Sequence, residues 1–260
     1  MSRSTRALRF QVPCHAAIVL AAWLCCNGAQ AGPPFTTDDP EPIDHRHWEL
    51  YLGSQSYHDD DGWVGTAPLF EVNYGVVPDV QLHLIVPLAF AAPAGEGTHY
   101  GPGDVETGAK LRFVHESDRM PQIGTYPMLD LPIGRSSRGL GNGAVQIFVP
   151  LWIQKSFGPW TTYGGPGYWI NRAANAKNWW YFGWEIQRRI FGPLTVGVEF
   201  FHETPQVSAG DSDTRFNVGI IWDISPTHHI LASAGRSIVG SILFQSYAAW
   251  LVTLGPSGPR

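Results

Sequence analysis

The stretch that decides the fold is Asp104-Val-Glu-Thr-Gly-Ala-Lys-Leu-Arg-Phe113. Its charged side chains occupy alternate positions: Asp104, Glu106, Lys110 and Arg112. A β-strand directs successive side chains to opposite faces, whereas a helix would spread these charges around its circumference. The stretch therefore predicts a strand with one charged face and one apolar face.

The same alternation recurs along the chain, for example where Trp180, Phe182, Trp184 and Ile186 are interleaved with Tyr181, Gly183, Glu185 and Gln187. Twelve such segments follow one another, near 47–57, 65–75, 80–91, 104–115, 121–132, 143–156, 160–170, 178–190, 193–203, 214–224, 229–239 and 244–254. Most have about ten residues, the length that a tilted strand needs to cross a bilayer.

The connections between these segments alternate in length. Short ones lie at 77–79, 117–120, 158–159, 191–193 and 225–227, and longer ones at 58–62, 92–103, 134–143 and 206–213. Outer-membrane barrels have short periplasmic turns and longer outer loops. The sequence therefore predicts an all-β protein: a transmembrane antiparallel up-and-down β-barrel of about twelve strands over residues 47–254, followed by a tail at 255–260.

A soluble β-sandwich or a lipocalin-like barrel also shows period-two alternation, with the apolar face turned inward. Two features favour the membrane barrel. A lipocalin-type barrel has about eight strands. The chain also contains only 15% charged residues, and ten of its eleven tryptophans follow Trp23. This composition is more typical of a wall that faces lipid than of one that faces water.

Residues 1–31 have the features of a secretory signal peptide. Arg3, Arg6 and Arg9 precede a short apolar stretch that ends in Ala29-Gln30-Ala31, a pattern that signal peptidase accepts. All three cysteines lie in this segment, so disulfides and thiol ligands are excluded from the rest. Without the three arginines, 14 basic residues face 22 acidic ones, a net charge of −8 that argues against nucleic-acid binding. We expect export to the outer membrane.

If the apolar faces meet lipid, the alternate faces line the lumen. We expect a lumenal charge network of Glu49, Glu71, Asp104, Glu106, Lys110, Arg112, Asp130, Glu185, Arg189, Glu199, Arg215 and Asp223, with His83 and Gln187 beside it. Charges in a narrow lumen are costly to leave unpaired, so the arginines are expected to pair with carboxylates. The network either fills the interior structurally or lines a solute path. Twelve strands leave room for either a small pore or a plugged one.

Residues 32–46 precede the first strand and are rich in proline, which keeps them extended. We assign them to an extended periplasmic N-terminal segment. Asp38 and Asp39 are expected to make it a plug or brace by pairing with lumenal arginines. A divalent-cation site formed by Asp38, Asp39, Asp44, His45 and His47 is the alternative; tracts of this kind are usually solvated, and we predict no metal.

No Gly-x-Ser-x-Gly, His-Glu-x-x-His or phosphate-loop motif occurs. Barrel enzymes that act on lipids assemble Ser and His across strands, so Ser54, Ser156, Ser233 and His202 remain candidates for a catalytic pair. We predict neither catalysis nor a cofactor.

Four parts of the sequence are distinctive: Pro34 to Pro42 with His47-Trp-Glu-Leu50, Gly103 to Phe113, Pro127 to Gly134, and Gly139 to Gly143. Together they resemble the family of exported barrel-like proteins named "putative meta-pathway of phenol degradation". The resemblance implies uptake of hydrophobic or aromatic compounds and brings no catalytic residues. One departure is the end of the chain: outer-membrane barrels commonly finish on an aromatic residue, whereas here Gly255 to Arg260 follow the last strand.

The sequence thus predicts a channel or transporter for small solutes, aromatic or hydrophobic ones among them. The inward charges would position the polar groups of a solute, and Tyr51, Phe148, Trp152 and Tyr181 would contact its apolar part. The alternatives are a structural barrel with a plugged lumen and a lipid-modifying enzyme. Expected partners are outer-membrane lipids and the barrel assembly machinery.

Overall fold

A computed structural model describes residues 34–256 of the chain. The predicted signal peptide lies outside the described residues. Within them the chain forms β-strands and one 3-10 helix, Ser136–Arg138. The strands are β1 (Trp48–Asp59), β2 (Gly62–Val77), β3 (Val80–Pro93), β4 (His99–Pro102), β5 (Val105–Val114), β6 (Gln122–Thr125), β7 (Met128–Leu131), β8 (Gln146–Pro150), β9 (Trp152–Phe157), β10 (Trp160–Asn171), β11 (Trp179–Phe191), β12 (Leu194–Glu203), β13 (Asp213–Ser225), β14 (His228–Val239) and β15 (Phe244–Leu254).

The sheet closes on itself because β1 pairs antiparallel with both β2 and β15. Three of the strands that span the barrel wall are interrupted. β4 and β5 are the two halves of one strand, which pairs with β3; β6 and β7 form a second, and β8 and β9 form a third. Over residues 34–256 the fifteen segments therefore make a closed, antiparallel twelve-stranded barrel, which confirms the predicted fold. None of the helices in this part of the chain is both long and apolar enough to cross a membrane.

The interruptions correct two predicted strands, 121–132 and 143–156, which were expected to be continuous. Pro127 lacks the N–H that a ladder requires, and β6 ends two residues before it. Leu151 interrupts the strand between β8 and β9, and its N–H donates to the carbonyl of Pro166. At that point the neighbouring strand β10 changes from pairing with β8 to pairing with β9. Both irregularities lie next to the aromatic side chains inside the barrel.

The two ends of the barrel differ. The end with the short connections 78–79, 158–159, 192–193 and 226–227, here called the turn end, also holds Trp48 and Leu254, where the barrel begins and finishes. The opposite, loop end carries 94–98, 132–145, 172–178 and 204–212. The predicted long connection at 58–62 was wrong: β1 and β2 pair as far as Asp59 and Gly62, which leaves the two-residue turn Asp60-Asp61.

The outer surface of the barrel is apolar. Exposed side chains along the strands include Leu52, Phe70, Leu84, Val86, Val149, Phe182, Trp184, Ile186, Phe200, Val218 and Trp250. Aromatic residues stand at both ends of this band, Trp48, Trp160 and Phe191 at the turn end and Trp63, Tyr100 and Trp180 at the loop end. A soluble protein rarely exposes so large an apolar surface, and aromatic girdles are typical of membrane barrels. The outer face therefore meets lipid, and the polar face lines the lumen.

Candidate functional site: the barrel lumen and its N-terminal segment

Residues 34–44, here called the lumenal segment, lie inside the barrel. Thr37, Asp39 and Pro40 are fully buried. The segment leaves the turn end beside β2 and β3, where Asp44 approaches Gly75 and the N–H of Ile43 donates to Gln81. It then crosses to β13 and β14, where Ser233 donates to the Pro34 carbonyl at 2.6 Å. The segment predicted as periplasmic is therefore lumenal in its described part.

Glycines make room for this route. A Cβ on Gly219 would lie 2.8 Å from ring carbons of Phe35, and one on Gly197 would also lie 2.8 Å from that ring. On the opposite wall, a Cβ on Gly124 would lie 2.9 Å from Pro40. Side chains at these inward positions would occupy the space of the segment. The wall is thus shaped to receive the backbone of residues 34–44.

Glu199 holds the inner end of the segment. Its two carboxylate oxygens accept the backbone N–H groups of Thr36 at 2.9 Å and Thr37 at 2.8 Å, and Asn217 donates to it as well. The Thr37 hydroxyl lies 2.8 Å from the hydroxyl of Tyr181. Because Glu199 is fully buried, these hydrogen bonds replace the water that the carboxylate loses.

Lys110 binds the middle of the lumenal segment, at Asp38 and Asp39. Its Nζ lies 2.9 Å from Asp38 Oδ1 and 3.4 Å from Asp39 Oδ2. The cation beside these aspartates is a lysine, not one of the predicted arginines. Burial raises the pKa of Asp39 well above its ordinary value; the charge of Lys110 opposes this, and Asp38 and Glu41 add to it. Docking of the segment thus favours the protonated form of Asp39.

Arg112 holds the segment at the turn end. Its guanidinium lies 2.7 Å from Asp79 and 3.6 Å from Glu41. Burial raises the pKa of Glu41, although the charge of Arg112 and a hydrogen bond from Gln154 oppose the shift. Partial burial alone would raise the pKa of Asp79, but Arg112 and His115 outweigh it and lower that pKa. Of the two carboxylates, Asp79 therefore forms the stronger ion pair with Arg112, and Glu41 the weaker one.

A second polar cluster surrounds His83. Its Nε2 lies 2.9 Å from Glu106, and its Nδ1 lies 2.7 Å from Asn73 Oδ1 and 3.6 Å from Glu71. Asp130 faces Glu106 across the β5–β7 ladder. His83, rather than an arginine, thus pairs with two of the predicted carboxylates, and Asp130 lies beside one of them.

The remaining predicted charges do not join one network. At the loop end Arg215 lies 3.0 Å from Glu203 and 3.3 Å from Asp213, two acids that the sequence analysis missed because they stand at strand ends. At the turn end Asp223 pairs with His229, Glu49 accepts the Tyr51 hydroxyl, and Arg189 is half-buried on β11.

Asp104 and Glu185 have different surroundings from those expected. Asp104 accepts the backbone N–H groups of Gly134 and Asn142 and so fixes an outer loop. Glu185 is fully buried beneath the segment, and neither of its carboxylate oxygens has a hydrogen-bond partner among the described residues.

The predicted aromatic contacts are mostly packed against one another. Phe148, Trp152 and Tyr181 form a buried cluster with Tyr126 and Phe201 on the β6–β12 side of the lumen. Tyr51 belongs to another cluster with Ile221, Leu231, Ala249 and Leu251 near the turn end. These clusters occupy part of the lumen.

A cavity of about 130 Å³ remains beside the inner end of the segment. Phe35, Leu69 and Ile85 supply apolar lining, while Glu71, Asn217 and Gln245 supply polar groups, and tyrosines 57 and 247 complete it. Among the residues lining it there is no lysine or arginine. It lies above the Tyr51 cluster, toward the loop end.

The catalytic candidates are not assembled. Ser233 donates to Pro34, whereas His202 bonds Thr214, and Ser156 lies 3.5 Å from Thr161. Ser54 faces Ala248 on the adjacent strand. Between residues 34 and 256, no group of three or more His, Cys, Asp or Glu side chains could hold a metal ion.

No family model matches the sequence, and no curated protein matches it. Solved structures do share the fold. The COG4313 outer membrane channel from Pseudomonas putida F1 superposes with a TM-score of 0.66 at 13% identity, over 86% of this chain and all of that one. The KdgM porin, solved in complex with disordered oligogalacturonate, gives 0.53 at 11% identity over 81% and 99%. The NanC porin gives 0.51 at 10% over 79% and 98%. The chain therefore has the transmembrane β-barrel fold of outer-membrane proteins.

Proposed function

We propose that this protein is an outer-membrane channel for small solutes whose lumen is closed by residues 34–44 and opens when they move. The observation that carries the proposal is the way the segment is held. Its contacts are hydrogen bonds and ion pairs to Glu199, Lys110 and Arg112, against a wall kept free by glycines. When the segment leaves the lumen, these polar groups can form hydrogen bonds with water instead, so the net free energy that each contact contributes to docking is modest.

The solute class follows from the cavity beside the segment. Phe35, Leu69 and Ile85 suit an apolar group, and Glu71, Asn217 and Gln245 suit hydroxyl or amide groups. Because the carboxylate of Glu71 lines it and the neighbouring Arg215 is paired with Glu203 and Asp213, it disfavours anions such as the oligogalacturonate seen with the KdgM porin. We propose small uncharged solutes with an apolar body and a hydrogen-bonding group. Aromatic alcohols are among these, in line with the resemblance to the phenol-degradation family.

The test is single-channel recording in a planar bilayer with a reversible lock. Residues 32–260 contain no cysteine, so Thr37→Cys with Gly183→Cys introduces the only thiols there. A Cβ on Gly183 would lie next to the Thr37 side chain, so a disulfide can join the two positions once the neighbouring Tyr181 side chain shifts. We expect few current steps in the oxidised protein and many after reduction. Equal conductance in both states, with the disulfide confirmed by mass, would contradict gating by the segment.

A structural barrel with a permanently closed lumen is the second candidate, favoured by the buried aromatic cluster around Trp152. Deletion of residues 34–43 separates the two. A deletion variant that inserts and conducts supports the channel. One that inserts but stays silent supports the structural barrel, and phospholipid hydrolysis would then be assayed.

A further inference from the structure

A groove of about 320 Å³ lies at the loop end, between β4 and residues 133–140. β4 pairs with β3 on one side only, and its other edge faces the connection that follows β7. Tyr100 and Ile133 line the groove, and their side chains are 54% and 60% exposed. Tyr100 is one of the aromatic residues at the loop end of the outer apolar band, and Ile133 shares its groove.

Two arginines, Arg135 and Arg138, line the same groove and are exposed. Among the described residues no carboxylate forms an ion pair with either guanidinium. The nearby carboxylate of Asp104 is occupied by the backbone N–H groups of Gly134 and Asn142. The groove therefore presents two free positive charges next to apolar side chains.

The loop that carries these arginines is fixed. Leu140 is buried against Ala89 and Ala91 on the inner side of β3. The ring of His99 forms a hydrogen bond with the Arg138 carbonyl at 3.1 Å, and the Asp104 carboxylate accepts hydrogen bonds from the backbone N–H groups of residues 134 and 142. Binding thus requires ordering of side chains but not of the loop, which favours a specific site over a passing contact.

We propose that this groove binds a phosphate-bearing lipid of the outer leaflet. The guanidinium groups match phosphate oxygens in charge and in paired hydrogen-bond geometry. Tyr100 and Ile133 would lie along the acyl chains, while the arginines would stand at headgroup level. Neither part alone would select the ligand: a free phosphate lacks the apolar contact, and an uncharged lipid lacks the ionic one. The proposal does not depend on whether the barrel conducts.

The test is native mass spectrometry of the detergent-folded protein titrated with bis-phosphorylated lipid A. Its variants are Arg135→Gln with Arg138→Gln, and the matched control Arg172→Gln, another exposed loop-end arginine. Loss of two charge-assisted contacts should weaken lipid A binding by about tenfold or more. The control should bind like the wild type. Heat-modifiable gel mobility verifies that each variant is a folded barrel.

Two further arms identify the source of the phosphate. Dephosphorylated lipid A should bind about as weakly as lipid A binds the double variant, and millimolar inorganic phosphate should fail to compete. Equal binding of lipid A by the wild type and the double variant would overturn the proposal. So would equal binding of the dephosphorylated lipid, while efficient competition by phosphate would show an anion site without lipid selectivity.

Discussion

Lys110 and Asp38 join the barrel wall to the lumenal segment: Nζ lies 2.9 Å from Oδ1, and the lysine is buried. The same Nζ reaches Asp39. One cation thus contacts both aspartates, and Asp38 has this buried partner only while the segment lies in the lumen.

Lys110→Met should release the segment. Removing one member of a buried ion pair costs about 3–5 kcal/mol because the other charge stays buried. Single-channel recording should show an open fraction much larger than in the wild type. Lys155→Met is the matched control, since Lys155 pairs with Glu116 away from the segment. An unchanged closed fraction in Lys110→Met would mean that this ion pair does not close the channel.

Glu199→Gln should weaken the inner end of the segment. The amide keeps the volume but replaces one accepting oxygen with a donor, which would face the N–H of Thr36 or Thr37. We expect a loss of about 1–3 kcal/mol in docking. Hydrogen exchange at these two amides should accelerate by about fivefold or more, since 1.4 kcal/mol corresponds to roughly a factor of ten. Exchange at the wild-type rate would show that the carboxylate is not the anchor.

Gly219→Ala should displace Phe35 and Pro34, because the new Cβ would lie 2.8 Å from the Phe35 ring. Overpacking of this kind costs about 1–3 kcal/mol. The expected readout is more frequent opening with unchanged barrel stability. Gly97→Ala, whose Cβ would have no neighbour within 4 Å, controls for the added methyl. Equal gating of both variants would contradict the proposed packing.

Docking of the segment should weaken as pH rises. Because the pKa of Asp39 is raised in the docked state, a proton stabilises docking, and this contribution is complete below the ordinary value of 3.8. It is lost as pH rises through the raised pKa, and Glu41 acts in the same direction. Channels should therefore open more often as pH is raised from about 4, near the ordinary Asp value, toward neutrality and above.

Asp39→Asn should flatten that pH dependence, whereas Asp60→Asn, in the exposed β1–β2 turn, should leave it intact. A wild type whose opening falls with rising pH would show that another group controls the response.

Trp184→Lys tests which face of the wall meets lipid. Trp184 is half-exposed at the middle of β11, where a lysine in a bilayer costs about 2–4 kcal/mol. Phe191→Lys, at the end of the same strand, should cost about 0–1 kcal/mol. Unfolding by urea in lipid vesicles measures both. Equal destabilisation at the two depths would argue against a membrane-embedded outer face.

Much of the fold could be read from period-two alternation, because each strand has one lipid-facing and one lumenal side. Trp184 and Glu185 show this directly: adjacent in sequence, they lie on opposite faces. The turn at Asp60-Asp61 was misjudged because polarity marks a loop, whereas ladder hydrogen bonds alone decide how far two strands continue.

The interior was less predictable. Alternation identifies Lys110 as inward, but its partner depends on the path of the lumenal segment, which no strand pattern encodes. The glycines at 197 and 219 were a usable signal, since inward glycines on adjacent strands leave space that something must fill. The position of Leu140 depends on how the outer loop folds back, and it too has no local signature.

The hydrogen bond from Ser233 to Pro34 joins residues 199 positions apart, and those from Thr36 and Thr37 to Glu199 span 163 and 162 positions. The partners of residues 34–37 thus lie on β12 and β14, far along the chain. Contacts so distant in sequence are slow to form because the intervening chain must first be ordered. We therefore expect this segment to reach its native position after the strands that hold it, so that the barrel forms before its lumen is closed.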